Sequence, residues 1–220
     1  MTPTPDDRTL TEEGVDLAGE RPARLLLLAC GALAHEVLAL IETNGWTHMD
    51  LKCLPAKLHL YPQRIVSAVE AAVQANRDSY DEVFVLYADC GTGGLLAAKC
   101  KALGVRMLEG PHCYSFFEGN AAFARHGDDE ITAFYLTDFL VRQFDAFVVK
   151  PMGLDRHPEL RDIYFGNYTK LVYQAQTRDP ALTELARAHA RRLGLAFEYR
   201  YTGYGDLARA LAEKSDAENG

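Results

Sequence analysis

Apolar residues fall in short blocks separated by polar stretches rich in glycine and proline. Arg24 to Cys30, RLLLLAC, is an unbroken apolar run of the length expected for a strand buried on both faces. Gly31 interrupts it. Leu33, Val37, Leu40 and Ile41 then recur at helical spacing until Asn44-Gly45 ends the pattern. THMDLKCLP predicts a second strand, and Pro62 opens a helix with Ile65, Val66, Val69 and Val73 as its apolar stripe. Glu82 to Ala88 reads as the third strand, GLLAAKCKALG as a helix closed by Gly104, and Val105 to Glu109 as a short fourth strand. GPHCYSFFEGNAAFARHG predicts a turn followed by a helix. ITAFYL, YTKLVYQAQT and LAFEYRY supply three further strands. Helices are predicted from about Asp138 to Phe147, from Asp179-Pro180 to Leu193 and over YGDLARALAE, while Lys150 to Asn167 is irregular.

Strands alternating with helices imply βαβ units and right-handed crossovers. The expectation is an α/β fold: an open, doubly wound, mainly parallel sheet of about six to seven strands, Rossmann-like and too short in strands for an eight-stranded barrel. Residues 1–22 are acidic and poor in apolar positions, so they are expected to form a disordered tail, with 23–220 as a single α/β domain.

Charge narrows the function classes. The net charge of -8 argues against nucleic acid and anionic membrane as partners, because either requires a basic surface. No apolar run approaches the roughly 18–20 residues that span a bilayer, and the first residues lack the apolar core of a secretory signal, so a cytoplasmic location is expected. The five cysteines, an odd number without a CxxC pair, argue against a disulfide framework.

Ligands of open α/β sheets bind outside the carboxyl ends of the strands. Cys30 ends the first strand, Cys90 follows the third, Cys113 follows the fourth, and His59 lies in the loop after the second. These soft and borderline donors thus fall on one sheet edge, where three thiolates and an imidazole suit zinc, or less usually iron. The competing reading is that the cysteines only fill space, as buried cysteines often do. Cys53 within a strand and Cys100 on a helix read as structural. Asp89, His112, His35 and Glu36 are candidates to orient the ligands. Gly91, Thr92, Gly93 and Gly94 open a helix and, with Tyr114, are candidates for binding a substrate or anion. A tight packing turn explains the same glycines, since the loop is neither GxGxxG nor GxxxxGKS/T. GxSxG, HExxH and DxDxDG are missing from the sequence, and no catalytic residue is assigned.

Taken together, LLACGALAHEV, LPAKLH with its following proline, VLYADCGTGG and EGPHCYSFF resemble the bacterial and archaeal "sixteen thirty-eight" domain-of-unknown-function family, from about Arg24 to Thr202. Members of that family look like companions of corrinoid-dependent methyltransferases acting on methylated amines and similar one-carbon compounds. The resemblance implies a metal-binding protein in corrinoid-linked methyl transfer or one-carbon metabolism, a methyltransferase component with a small-molecule substrate or a corrinoid protein as partner. A corrinoid would then come through that partner. The alternatives are a non-enzymatic accessory or cofactor-delivery protein for such a system, and a nucleotide-binding enzyme using Gly91 to Gly94.

Overall fold

A computed structural model describes residues 4–18 and 24–218. The chain divides into two compact units, one running to Cys113 and resuming at Asp206, the other spanning Tyr114–Gly205. Where one domain is expected from the sequence, there are two bodies, each with its own sheet.

The first unit is built on a five-stranded sheet in the order β1-β3-β2-β4-β5, with β1 Val15–Leu17, β2 Leu25–Cys30, β3 Met49–Leu54, β4 Glu82–Leu86 and β5 Arg106–Met107. β2 pairs in parallel with β3 and β4, and β4 with β5. β2 is central, and Leu25 to Ala29 are at most 1% exposed, which explains the unbroken apolar run. Crossover helices α2 (Ala34–Asn44), α3 (Ile65–Asn76) and α4 (Leu95–Leu103) join the parallel strands. Gly45 and Gly104 end α2 and α4 in the left-handed conformation, at φ 64° and 73°. The strand order reverses at β2, so the carboxyl ends of β2 and β4 form the switch point where such sheets hold ligands.

Residues 7–17, expected as part of a disordered tail, are ordered: α1 Asp7–Glu12 leads into β1, which pairs antiparallel with β3. Asp6 caps α1 by accepting from the Arg8 and Thr9 N–H groups at 3.0 Å, and Leu10 is fully buried. One apolar residue at the right place anchors a segment that looks solvated in composition. Residues 1–3 and 19–22 of the expected tail lie outside the described residues.

The second unit holds a parallel sheet in the order β6-β7-β8, with β6 Ala133–Leu136, β7 Lys170–Ala175 and β8 Ala196–Tyr201. Short helices α5 (Ser115–Glu118), α6 (Asn120–His126), α7 (Asp138–Arg142) and α8 (Leu160–Phe165) accompany it, and α9 (Pro180–Leu193) crosses from β7 to β8. Asp179 caps α9 by accepting from the Ala181 N–H at 2.7 Å. The expected strands exist, but not in one parallel sheet of six to seven: there is a mixed sheet of five and a parallel sheet of three. The reason lies in β5, which is two residues long and gives way to Gly110 and Pro111; their carbonyls turn back to the Asp89 and Cys90 N–H groups. Helix α10 begins at Gly205, and in the first unit its Leu207 and Leu211 are fully buried and Lys214 pairs with Glu82.

Candidate functional site

Four βα junctions of the first unit bring Cys30, His59, Cys90 and Cys113 together. Cys30 is the last residue of β2. The glycine after it serves close approach: a Cβ on Gly31 would stand 2.4 Å from the Leu10 carbonyl oxygen. His59 lies on the 3₁₀ turn Ala56–Leu60 after β3. Cys90 follows β4 with φ 46°, the one non-glycine residue among the described residues in the left-handed region. Its N–H donates to the Pro111 carbonyl at 3.1 Å, and the Asp89 N–H donates to Gly110 at 2.9 Å. These two bonds lay the loop after β5 beside the loop after β4 and set the Cys113 Sγ 3.2 Å from the Cys90 Sγ.

Electrostatic interaction continues on both sides, between Cys113 and Cys30 and between His59 and Cys90. The arrangement is a string, His59–Cys90–Cys113–Cys30. Cys113 keeps its proton: hydrogen bonds to Cys30 and Cys90, reinforced by burial, hold its thiol well above the usual range. The Cys113 hydrogen bond, against the opposing effect of burial and with the help of His59, pulls Cys90 down to about 5. Cys30 is lowered for the same first reason. The Cys90 hydrogen bond in turn raises His59. The shifts therefore favour the thiolate at Cys90, a soft nucleophile and ligand, and draw His59 toward its charged form. Cys90 and Cys30 are 5% exposed, whereas His59 is exposed and gives the string an opening to solvent. All five cysteines are free thiols.

Whether the donors fit a metal is a question of spacing. Two thiolates on one tetrahedral zinc at about 2.3 Å stand about 3.8 Å apart. The Cys90–Cys113 contact of 3.2 Å is shorter than that, and the string is not a shell. Accordingly, among the described residues no group of three or more His, Cys, Asp or Glu side chains is placed to hold an ion as it stands. The donor chemistry fits zinc. The geometry as it stands is not that of a zinc shell.

Asp89 does not orient this set directly. Its carboxylate accepts from Gly94 N at 2.6 Å, Gly93 N at 3.1 Å and Thr92 Oγ1 at 2.8 Å, bonds that hold its pKa low. The Gly93 and Gly94 N–H groups and the Thr92 hydroxyl are thus engaged by the chain's own carboxylate, the Asp89 side chain. Gly91 at φ 82° and Gly94 at φ 84° serve the turn. His112 feels the charges of Cys90, His59 and Asp89, and its burial lowers its pKa. His35 turns elsewhere: its Nε2 meets the Pro5 carbonyl at 3.0 Å and Asp7 at 3.4 Å. Glu36 is buried, and the thiol it raises is that of Cys53. Tyr114 belongs to the second unit, where its ring stacks on Tyr135 at 5.2 Å.

Sequence reasoning passed over Tyr87. It lies between β4 and Cys90, 2% exposed, and its hydroxyl has no hydrogen-bond partner among the described residues. Burial, then the charges of Cys30, Cys113, Cys53 and Cys90, push its pKa well up. The available signal was a tyrosine set between an apolar strand and Asp89-Cys90, where its polar end requires a partner. Beside the same loop, a surface groove of about 760 Å³ runs between α3 and α4, lined by Pro62, Val66, Gly91, Thr92, Leu95 and Lys99 among others. No described helix is long and apolar enough to cross a membrane.

Neither the curated proteins nor the solved structures gave a match to the chain. A family model described as "Protein of unknown function (DUF1638)" matches residues 53–211, a span that holds His59, Tyr87, Cys90 and Cys113 and starts after Cys30. The match covers well over half of the sequence, and the chain belongs to this family.

Proposed function

We propose that Cys30, His59, Cys90 and Cys113 form a soft-metal centre, zinc before iron, that serves methyl transfer in corrinoid-linked one-carbon metabolism. The observation that carries the metal reading is the contact string itself, which joins four zinc-type donors from four separate loops at the switch point of the sheet. Metal uptake would displace the Cys113 proton and leave the imidazole neutral. The metal's chemistry would be to hold and activate a thiolate as methyl acceptor or donor. The chain's residues supply the donors, the tight turn at Cys90 and the opening beside His59. The corrinoid link rests on the motif resemblance alone, and the groove along α3 and α4 offers a place for a substrate or partner group.

The test is elemental mass spectrometry on untagged protein purified without added metal, beside the Cys30→Ser, Cys90→Ser and Cys113→Ser variants. About one equivalent of zinc or iron, lost in each folded variant, is the expected result. A metal-free wild type, including one prepared anaerobically, would sink the metal reading. The 3.2 Å sulfur contact favours one alternative in that event: a Cys90–Cys113 dithiol that closes to a disulfide when a two-electron acceptor is present.

A further inference from the structure

Two sulfurs from different loops of the first unit meet directly: Cys90 Sγ and Cys113 Sγ lie 3.2 Å apart, and both are free thiols. A disulfide holds its sulfurs about 2.05 Å apart, so each would have to swing by only about 0.6 Å to close the bond. The backbone already fixes the approach, because the Asp89 and Cys90 N–H groups donate to the Gly110 and Pro111 carbonyls at 2.9 and 3.1 Å. Cys90 stands at φ 46°, a conformation that is costly for a residue with a side chain and that collects at reactive sites. Asp89 locks the turn after it by accepting from Thr92, Gly93 and Gly94. Cys113 is only partly buried whereas Cys90 is 5% exposed, so a small molecule reaches the pair more readily than a protein does.

We propose that Cys90 and Cys113 are a reversible dithiol–disulfide couple that exchanges with low-molecular-weight organic disulfides and thiols. The inference deepens the dithiol alternative given with the proposed function, rests on the same sulfur contact and requires no metal. One sulfur of the pair attacks a sulfur of the reagent disulfide; the reagent's S–S bond breaks, a mixed disulfide forms and one thiolate departs. The other sulfur of the pair then attacks the protein-bound sulfur, the mixed disulfide breaks and a second thiolate departs. The two protons given up by the pair leave with these thiolates as two thiols. The pair is thus oxidised by two electrons, the reagent disulfide is reduced by two, and excess thiol runs the same steps backwards. Because the second sulfur is already in contact with the first, the closing step is intramolecular and the mixed disulfide does not accumulate.

The test uses full-length protein, reduced, stripped of metal with a chelator and equilibrated without oxygen across ratios of oxidised to reduced glutathione. After acid quenching the chain is unfolded, its free thiols are blocked with N-ethylmaleimide, and they are counted by intact mass and located by peptide mapping. Wild type is expected to lose two of its five reactive thiols together, with the Cys90 and Cys113 peptides linked, and to regain both when the ratio is reversed. Cys90→Ser and Cys113→Ser are each expected to form no such linked peptide and to hold a glutathione on the remaining sulfur, while Cys100→Ser matches wild type. Five free thiols at every ratio, a link between other cysteines, or a wild type that stops at the mixed disulfide would overturn the inference. So would a bond that excess reduced glutathione does not reopen, which marks a structural disulfide. The wild-type measurement decides the matter even if a serine variant does not fold. Metal content is read on the protein as purified and this couple on metal-free protein, so either reading can fail without the other.

Discussion

The Sγ atoms of Cys90 and Cys113 lie 3.2 Å apart although the two residues leave different strands of the sheet. The contact is made by backbone before it is made by sulfur: the N–H groups of Asp89 and Cys90 bond the carbonyls of Gly110 and Pro111. Cys113 then sits in the middle of the string, with Cys30 on one side and Cys90 on the other. Its place makes it the member whose loss disturbs both neighbours.

Cys113→Ser should therefore lower zinc affinity by more than the roughly 10–100-fold that loss of an outer-shell partner costs, enough to lose the metal on purification. The fold should persist, because Cys113 is only partly buried and serine is slightly smaller. Competition with a chromophoric chelator measures the affinity, and circular dichroism checks the fold. An unchanged affinity would exclude Cys113 as a ligand.

Gly31→Ala tests the link between the N-terminal segment and the site. The added Cβ would meet the Leu10 carbonyl oxygen at 2.4 Å and the Leu54 carbonyl at 3.1 Å, both backbone atoms that cannot swing aside. We expect a loss of about 1–3 kcal/mol in urea unfolding, the usual cost of overpacking, together with weaker metal binding through displacement of Cys30. A variant as stable as wild type would show that the α1 segment yields.

Leu10→Ala probes the same segment from the other side. Leu10 is fully buried on a helix that contributes little else to the core. The change should cost about 2–4 kcal/mol by leaving a cavity. It should also speed proteolysis within residues 7–17, a prediction read by mass spectrometry of the cleavage products. Resistance equal to wild type would mean that the pairing of Val15–Leu17 with β3 holds the segment without Leu10.

These residues also show what the sequence could and could not disclose. The run from Leu25 to Cys30 and the Asp179-Pro180 start of α9 were legible because burial on both faces and helix capping leave local marks. So was the shared sheet edge of Cys30, His59, Cys90 and Cys113, since each follows a strand at a βα junction, whereas the 3.2 Å approach of Cys90 and Cys113 was not. The division into two sheets was not legible, because periodicity marks strands but not the edges they pair with. The direction of His35 depended on a chain segment with a single apolar anchor. In the Gly91–Gly94 loop, an aspartate just before a glycine-rich turn is a local mark for the cap that Asp89 makes on the Gly93 and Gly94 N–H groups.

The second unit carries its own electrostatic prediction. On the sheet face of β7 and β8, Arg200 Nη1 meets Glu118 at 3.0 Å, and its Nη2 meets Glu130 at 2.7 Å and also pairs with Glu198. Lys170 bonds Glu130 at 3.1 Å and Glu198 at 2.8 Å, and His126 meets Glu118 at 2.5 Å. Burial alone would raise Glu130, whose side chain is 8% exposed, but hydrogen bonds from Arg200, Tyr135 and Lys170 outweigh it and lower its pKa from 4.5 to about 2. A carboxylate depressed in the folded state contributes stability that is fully present above its unfolded pKa and is lost as pH falls through its folded pKa. The window here is therefore from about pH 4.5 down to about 2. Glu130→Gln keeps the shape and removes the titration. At pH 7 it should be less stable than wild type by about 1–3 kcal/mol, the cost of losing charged hydrogen bonds at a buried group. That difference should shrink steadily between pH 4.5 and 2, because wild-type Glu130 then takes up a proton and loses the negative charge that the variant already lacks. Urea unfolding of both proteins across that range, followed by hydrogen exchange at Lys170–Ala175 to localise it to β7, measures the difference. A gap that stays constant down to pH 2 would mean that the Arg200 cluster is screened and holds the second unit together by packing instead of charge.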